Sequence, residues 1–133
     1  MQIENKRLDW ASLLLRIFFG GLMILNHGWK KLGKIMEGGE IKFADPLGMG
    51  AEVSLYLTVF SEVLCGVLLV LGLFTRISAL FLSFTMLVAA FVVHAGDSLK
   101  DREMAILYLA AYLAIWLIGP GRFSLDYFRK RQL

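Results

Sequence analysis

Two ionisable side chains stand in stretches too apolar to welcome them, and they define the chemistry open to this chain. Arg16 falls within the apolar stretch 11–29 and Glu62 within 53–74, and no other formal charge lies well inside such a stretch. An ionised side chain at the bilayer centre costs roughly 2.5–3.5 kcal/mol, and it ordinarily turns into the protein and finds a partner. At about 1.5 Å per residue, Arg16 stands about 9 Å in from Trp10 and Glu62 about 18 Å in from Phe74 on the same side, an offset near the reach of an arginine. The expectation is a buried Arg16–Glu62 pair. It is either a polar floor for a ligand or a purely structural lock between the first two helices.

His27 follows Arg16 by eleven residues, which at 100° per residue returns it to within about 20° of the same helix face. His94 closes the third apolar stretch and Glu103 opens the fourth, both at the end opposite the termini, where His27 also arrives. Arg16, His27, Glu62, His94 and Glu103 are therefore the candidate ligand-binding residues; the competing reading is that the histidines are interfacial hydrogen-bonders. Two histidines and a carboxylate can hold a metal, but no ligand-spaced motif such as H-E-x-x-H occurs, so no metal is assigned. No catalytic residue is assigned either. Tyr108 and Tyr112 lie about 140° and 180° round the fourth helix from Glu103. That helix cannot aim both at one site, and the tyrosines are left out. Thr58, Cys65 and Gly66 on the face of Glu62, and Gly20 and Gly21 beside Arg16, read as small residues that let helices approach.

The elements that must position these groups follow from composition. Of 133 residues 58% are hydrophobic and 19% charged. A chain of this size buries only about two-thirds of its surface, so the apolar excess needs lipid as a second solvent. Crossing the hydrocarbon takes about 20 mostly apolar residues, and the stretches 11–29, 53–74, 77–95 and 99–118 qualify. The fold read from them is all-α, a single integral membrane four-helix bundle over 1–133. The fourth stretch is charged in its first turn, at Lys100, Asp101, Arg102 and Glu103, so its apolar part is short. Thr75 is expected to cap the third helix, Ser98 with Asp101 forms a capping box, and Gly119-Pro120-Gly121 ends the fourth helix. The short turn at Thr75-Arg76 makes helices two and three an antiparallel hairpin. The segment 30–52 exceeds ordinary connections and reads as a lid, a binding loop or a mobile stretch. Gly48-Met49-Gly50 within it lacks the context of a phosphate cradle and reads as a turn.

The first stretch contains Arg16 and runs into His27-Gly28-Trp29-Lys30 instead of a small-residue cleavage site, so it reads as a retained helix. With four crossings both termini share one side, which carries seven Lys/Arg against six in the other loops; the excess places the termini in the cytoplasm. Residues 124–133 alternate aromatic and basic side chains and read as a short amphipathic segment on the cytoplasmic leaflet. The single cysteine, Cys65, allows no internal disulfide or thiol relay. No basic runs interleaved with aromatics track a phosphate backbone, which excludes nucleic acid as a partner.

Three groups of residues together resemble the DoxX family over nearly the whole chain. They are Arg16-x-x-x-Gly20 followed by His27-Gly28-Trp29-Lys30; Glu62-x-x-x-Gly66 with Gly72-x-x-Thr75-Arg76; and Gly119-Pro120-Gly121-Arg122-Phe123-Ser124-Leu125-Asp126, the most specific of the three. The resemblance implies a four-helix protein of the bacterial inner membrane and a role beside membrane redox chemistry, since relatives include a subunit of a thiosulfate:quinone oxidoreductase and a partner in a complex protecting against oxidative stress. It carries over to Arg16, His27, Glu62 and the 119–126 motif, while His94 and Glu103 rest on position alone. No haem pair, flavin motif or iron–sulfur cysteine set is visible, so no cofactor is intrinsic and electron transfer would use a bound quinone or a partner's cofactor. The leading reading is a redox-associated subunit that binds a quinone-like headgroup. The alternatives are a non-catalytic assembly or scaffolding protein and a small proton-coupled transporter. Partners are the bilayer and other membrane or redox subunits, with homo-oligomerisation left open.

Overall fold

The computed structural model of the protein describes residues 2–132, with side chains from Asn5 onward; Met1 and Leu133, the two ends of the expected 1–133 domain, lie outside the described residues. Every regular element among the described residues is helical. Helix α1 is apolar enough to span a membrane over Asn5–Glu37, α2 over Ala51–Leu71 and α3 over Thr75–Val93. Helix α4, Leu99–Ile118, has the expected bounds, and a short helix α5, Leu125–Gln132, occupies the C-terminal segment.

The largest departure from the sequence reading is the length of α1. It continues eight residues past Trp29, to Glu37, because Trp29, Leu32, Ile35 and Met36 keep a helical apolar spacing, and it stops where Gly38 takes φ +72°. The long connection 30–52 thus shrinks to residues 38–50. At its other end α2 stops at Gly72, with φ +71°, where the Leu73 N–H donates to the Leu68 carbonyl (2.9 Å) and the Gly72 N–H to that of Leu69 (3.1 Å). That pair of bonds is a Schellman motif, which needs the left-handed residue glycine supplies. The Ser98 hydroxyl accepts the Asp101 N–H at 3.3 Å and so caps α4, while it donates to the Asp101 carboxylate at 2.6 Å in place of the backbone contact of a full capping box. Thr75, by contrast, is the first residue of α3 and gives it no side-chain cap.

The core collects Met23 from α1, Cys65 and Leu69 from α2, Ala79, Leu82 and Met86 from α3, and Tyr108, Tyr112 and Ile115 from α4. Helices α1 and α2 meet along glycines. A Cβ on Gly20 would come within 2.8 Å of Val70, one on Gly66 within 2.8 Å of Ile24, and one on Gly28 within 2.7 Å of Val63. Gly21 has open space around it and takes no part in this seam. Apolar side chains also cover the outside: Phe18, Leu25, Ile77, Phe84 and Leu117 are all exposed. Such a surface is stable in acyl chains and would not be in water.

Candidate functional site

Arg16 and Glu62 are both buried, but each has found a different partner. The Arg16 guanidinium reaches toward the C-terminal end of α2. Its Nη1 donates to the carbonyls of Leu69 (3.5 Å) and Val70 (3.3 Å), and its Nη2 donates to that of Phe123 at 2.7 Å. Carbonyls in the last turn of a helix carry the negative end of its dipole and keep lone pairs free beyond any capping bond, such as the one Leu69 takes from Gly72, so they compete well for a cation. Leu69 is seven residues beyond Glu62, about 10 Å along the helix, and the expected Arg16–Glu62 pair is absent for that reason.

The same end of the bundle is closed by the 119–126 segment. The Ser12 hydroxyl donates to the Gly119 carbonyl at 2.7 Å, and Asp9 accepts the Arg122 N–H at 2.9 Å. The Asp126 N–H donates to the Gly72 carbonyl at 2.8 Å. The Asp126 carboxylate in turn accepts the N–H groups of Phe74 (2.9 Å) and Thr75 (2.8 Å), which makes it the cap of α3 supplied from a distant helix. Phe74 is the only non-glycine residue with positive φ among the described residues, at +50°, and Asp126 holds that strained backbone in place. Partial burial pulls the Asp126 pKa upward, but the donors at Thr75 and Phe74, with Arg129 nearby, outweigh it and hold it below the usual carboxylate range. Arg16, Gly72, Asp126 and the Gly119 turn therefore form one latch joining the ends of all four long helices.

Glu62 faces the other way. Both its oxygens lie against Lys31 Nζ, at 2.6 and 2.7 Å, and its side chain is 2% exposed. Lys31 lies on the part of α1 that the sequence reading assigned to a loop, so only the helical spacing of Trp29, Leu32 and Met36 could have signalled it. The pair borders a cavity of about 430 Å³ between α2, α3 and the loop 38–50. Its walls are Leu57, Phe60, Phe81, Phe84 and Val88; Phe43, Pro46, Leu47 and Met49 of the loop cover it. Its polar groups, besides Lys31 and Glu62, are the hydroxyls of Ser54, Thr58, Ser61 and Thr85 and, at the rim, His94. The Thr85 and Ser61 hydroxyls stand 2.7 Å apart across the α2–α3 gap, and His94 Nδ1 is 2.6 Å from Asp97.

Asp45 fastens the loop over this cavity. Its carboxylate accepts the N–H groups of Met49 (2.9 Å) and Gly50 (3.0 Å) and the hydroxyl of Ser54 (3.0 Å). Desolvation raises its pKa, and the donors at Gly50, Ser54 and Met49 together outweigh that and hold it below the usual range. The segment thus lies over the cavity as an ordered cover.

The five sequence-predicted residues thus separate. Glu62 and His94 line the cavity; Arg16 belongs to the latch; His27 packs edge-on against the Tyr108 ring at 5.7 Å; Glu103 is exposed on the first turn of α4. His27 turns into the bundle against the core ring of Tyr108, on the second of two wide i→i+5 turns of α1, Arg16–Gly20 and Ile24–Gly28; α2 makes one such turn at Phe60–Cys65. On α4 the choice between Glu103 and the tyrosines resolves the other way round. Tyr108 and Tyr112 are buried beside Met23 and Phe19, with the Tyr112 hydroxyl donating to the Phe19 carbonyl at 3.0 Å, and Glu103 is turned out.

An all-helical protein with three spans of this length, apolar on its outside and polar at two inner sites, is an integral membrane protein. Comparison with known sequences makes the class specific: the DoxX family profile matches residues 11–95, and the chain belongs to that family. A relative from Haemophilus influenzae, described as an uncharacterized protein, is 33% identical over an alignment covering 87% of this chain and 90% of its own length. No solved structure matches the chain.

Proposed function

We propose that this DoxX protein is a four-crossing bundle of the bacterial inner membrane, with cytoplasmic termini, that binds a quinone-like ring in the cavity between α2 and α3. The observation that carries the reading is the Lys31–Glu62 pair at the border of an otherwise apolar cavity. A volume of about 430 Å³ falls in the range of small-ligand sites, and such sites combine aromatic walls with a few placed polar groups. Phe60, Phe81 and Phe84 suit a flat ring. Lys31 is a donor for a ring carbonyl, Glu62 orients that donor, and Ser61 with Thr85 offers a second hydroxyl contact. His94, bonded to Asp97, stands among the residues that line the cavity and offers a further polar contact. A bound quinone would supply two-electron chemistry to a partner subunit; this chain's part is to bind, orient and exclude water.

The test is titration of decyl-benzoquinone into the protein in lipid nanodiscs, read by quenching of tryptophan fluorescence. Saturable binding is expected, and Lys31→Met should weaken it by about tenfold or more, the worth of a hydrogen bond from a charged donor. His27→Ala should leave it unchanged, because His27 packs on Tyr108 outside the cavity. Absence of saturable binding would overturn the proposal. The scaffolding reading has its own support at the end of α1, where Trp29 and Met36 are 65% and 78% exposed; a partner subunit covering them would fit it.

A further inference from the structure

The cavity has two boundaries of different character. Toward the loop it is covered by Phe43, Pro46 and Leu47; Asp45 folds that cover on itself through the Met49 and Gly50 N–H groups and ties it to the start of α2 through the Ser54 hydroxyl. Toward the side, between α2 and α3, its wall is made of rings that also form the outer surface. Phe60, Phe81 and Phe84 are 41%, 47% and 56% exposed, and the Phe60 and Phe81 rings stand edge to face at 5.5 Å. On the apolar exterior described above, that side faces acyl chains. Aromatic side chains in an edge-to-face pair yield by rotamer change, whereas the loop must break the Asp45–Ser54 hydrogen bond and lift its apolar cover to open.

The polar floor also limits the occupant. Lys31 is already neutralised by Glu62 at 2.6 Å, and no second cation lines the cavity apart from His94 at the rim. A phosphate or free carboxylate brought into this apolar space would lack a countercharge, which is prohibitive. A neutral ring with carbonyl acceptors needs none.

We propose that the cavity is loaded sideways from the bilayer, past Phe60, Phe81 and Phe84, by a neutral, lipid-dissolved ring compound whose tail stays among the acyl chains while its ring sits near Lys31 and Glu62. This rests on the ring-binding reading above and adds the route and the tail. The ligand class is that of membrane-resident, tail-bearing rings; water-soluble aromatic acids and phospholipid headgroups are outside it.

The experiment uses the wild-type protein in nanodiscs and a decyl-benzoquinone carrying a diazirine on the tail carbon nearest the ring. After irradiation, adducts are mapped by peptide mass spectrometry, and binding of the same probe is measured by tryptophan quenching. The expected result is labelling of Phe60, Phe81 or Phe84 that is lost with excess unlabelled decyl-benzoquinone. Saturable binding with competitor-sensitive adducts confined to residues 43–49 overturns the sideways route and leaves the ring-binding reading standing. Saturable binding with seam adducts that the competitor does not remove also overturns it, because the labelling then reflects lipid contact. No saturable binding removes both.

Discussion

Two double-mutant cycles sharing Glu62 separate the ion pair that the structure contains from the one that the sequence suggests. Lys31→Leu removes the counter-ion of a carboxylate only 2% exposed, and a buried charge left unpaired costs about 3–5 kcal/mol. Glu62→Leu should cost less. The Lys31 side chain is 24% exposed, near the end of α1, and its long stem lets the freed ammonium turn to water. Replacing both with leucine leaves an apolar contact where the pair was, which is close to neutral. The singles should therefore overshoot the double by about 2–3 kcal/mol, the upper range for residues in direct contact. In the other cycle Arg16→Leu leaves the carbonyls of Val70 and Phe123 without their donor and loosens the latch, but Arg16 and Glu62 share no partner. Their effects should add to within about 0.5 kcal/mol. The five variants and the wild type are compared by equilibrium unfolding in mixed micelles, read by tryptophan fluorescence. A coupling above about 1 kcal/mol between Arg16 and Glu62, or one within about 0.5 kcal/mol of zero between Lys31 and Glu62, would refute the assignment of partners.

The latch makes further predictions. Asp126→Ala should destabilise by about 1–2 kcal/mol, as loss of a helix cap does, measured by the same unfolding assay. Because the folded-state pKa of Asp126 is depressed, its contribution is present above the unfolded carboxylate pKa and lost as pH falls through the folded value. Thermal unfolding below about pH 4, the ordinary carboxylate range, should thus depend less on pH in Asp126→Ala than in the wild type. Gly72→Ala should lose more than about 1 kcal/mol, since φ is +71° and the Cβ would collide with Arg16 and Ser124, while Gly21→Ala, in open helical space, should be neutral or gain about 1 kcal/mol. Asp45→Ala should free the loop over the cavity, seen as faster tryptic cleavage at Lys42 in nanodiscs; unchanged cleavage would argue that the loop is held by its apolar contacts alone.

Apolar run length located α1, α2 and α3 because lipid imposes one simple rule on every span. Helix α4 has the bounds the sequence placed, but with Lys100, Asp101, Arg102 and Glu103 in its first turn it is not among the three helices apolar enough to cross, and its expected crossing is not met by that measure. Boundaries failed where a local signal overrode the run. α1 continues into residues 30–37 because an amphipathic helix outlasts an apolar one, and Lys31 was lost from view with it. The inward turn of Arg16 and Glu62 was legible, since burial of charge in lipid demands it. Their partners were not, because an axial offset says which groups are near and not which competitor is nearer. Backbone carbonyls at the end of α2 carry no sequence signature, yet they took Arg16. Likewise the cap of α3 comes from Asp126, some fifty residues away, whereas a reading of local spacing nominates Thr75.

The residues that carry the family resemblance gather at the latch more than at the cavity. Arg16, Gly72, Thr75, the Gly119 turn and Asp126 interlock within one end of the bundle, whereas among the motif residues only Glu62 lines the cavity. Its partner Lys31 and the rim residue His94 stand outside those motifs. The latch joins the ends of the four long helices. The cavity walls can then change without disturbing the fold, because Leu57, Phe60, Phe81 and Phe84 face lipid on one side and need satisfy only volume. On the binding reading proposed above, the aromatic seam bears on ligand alone, Lys31 and Glu62 on both ligand and stability, and Arg16 and Asp126 on stability alone. Substitutions at the seam should change binding with unfolding unaltered, and substitutions at the latch should do the reverse.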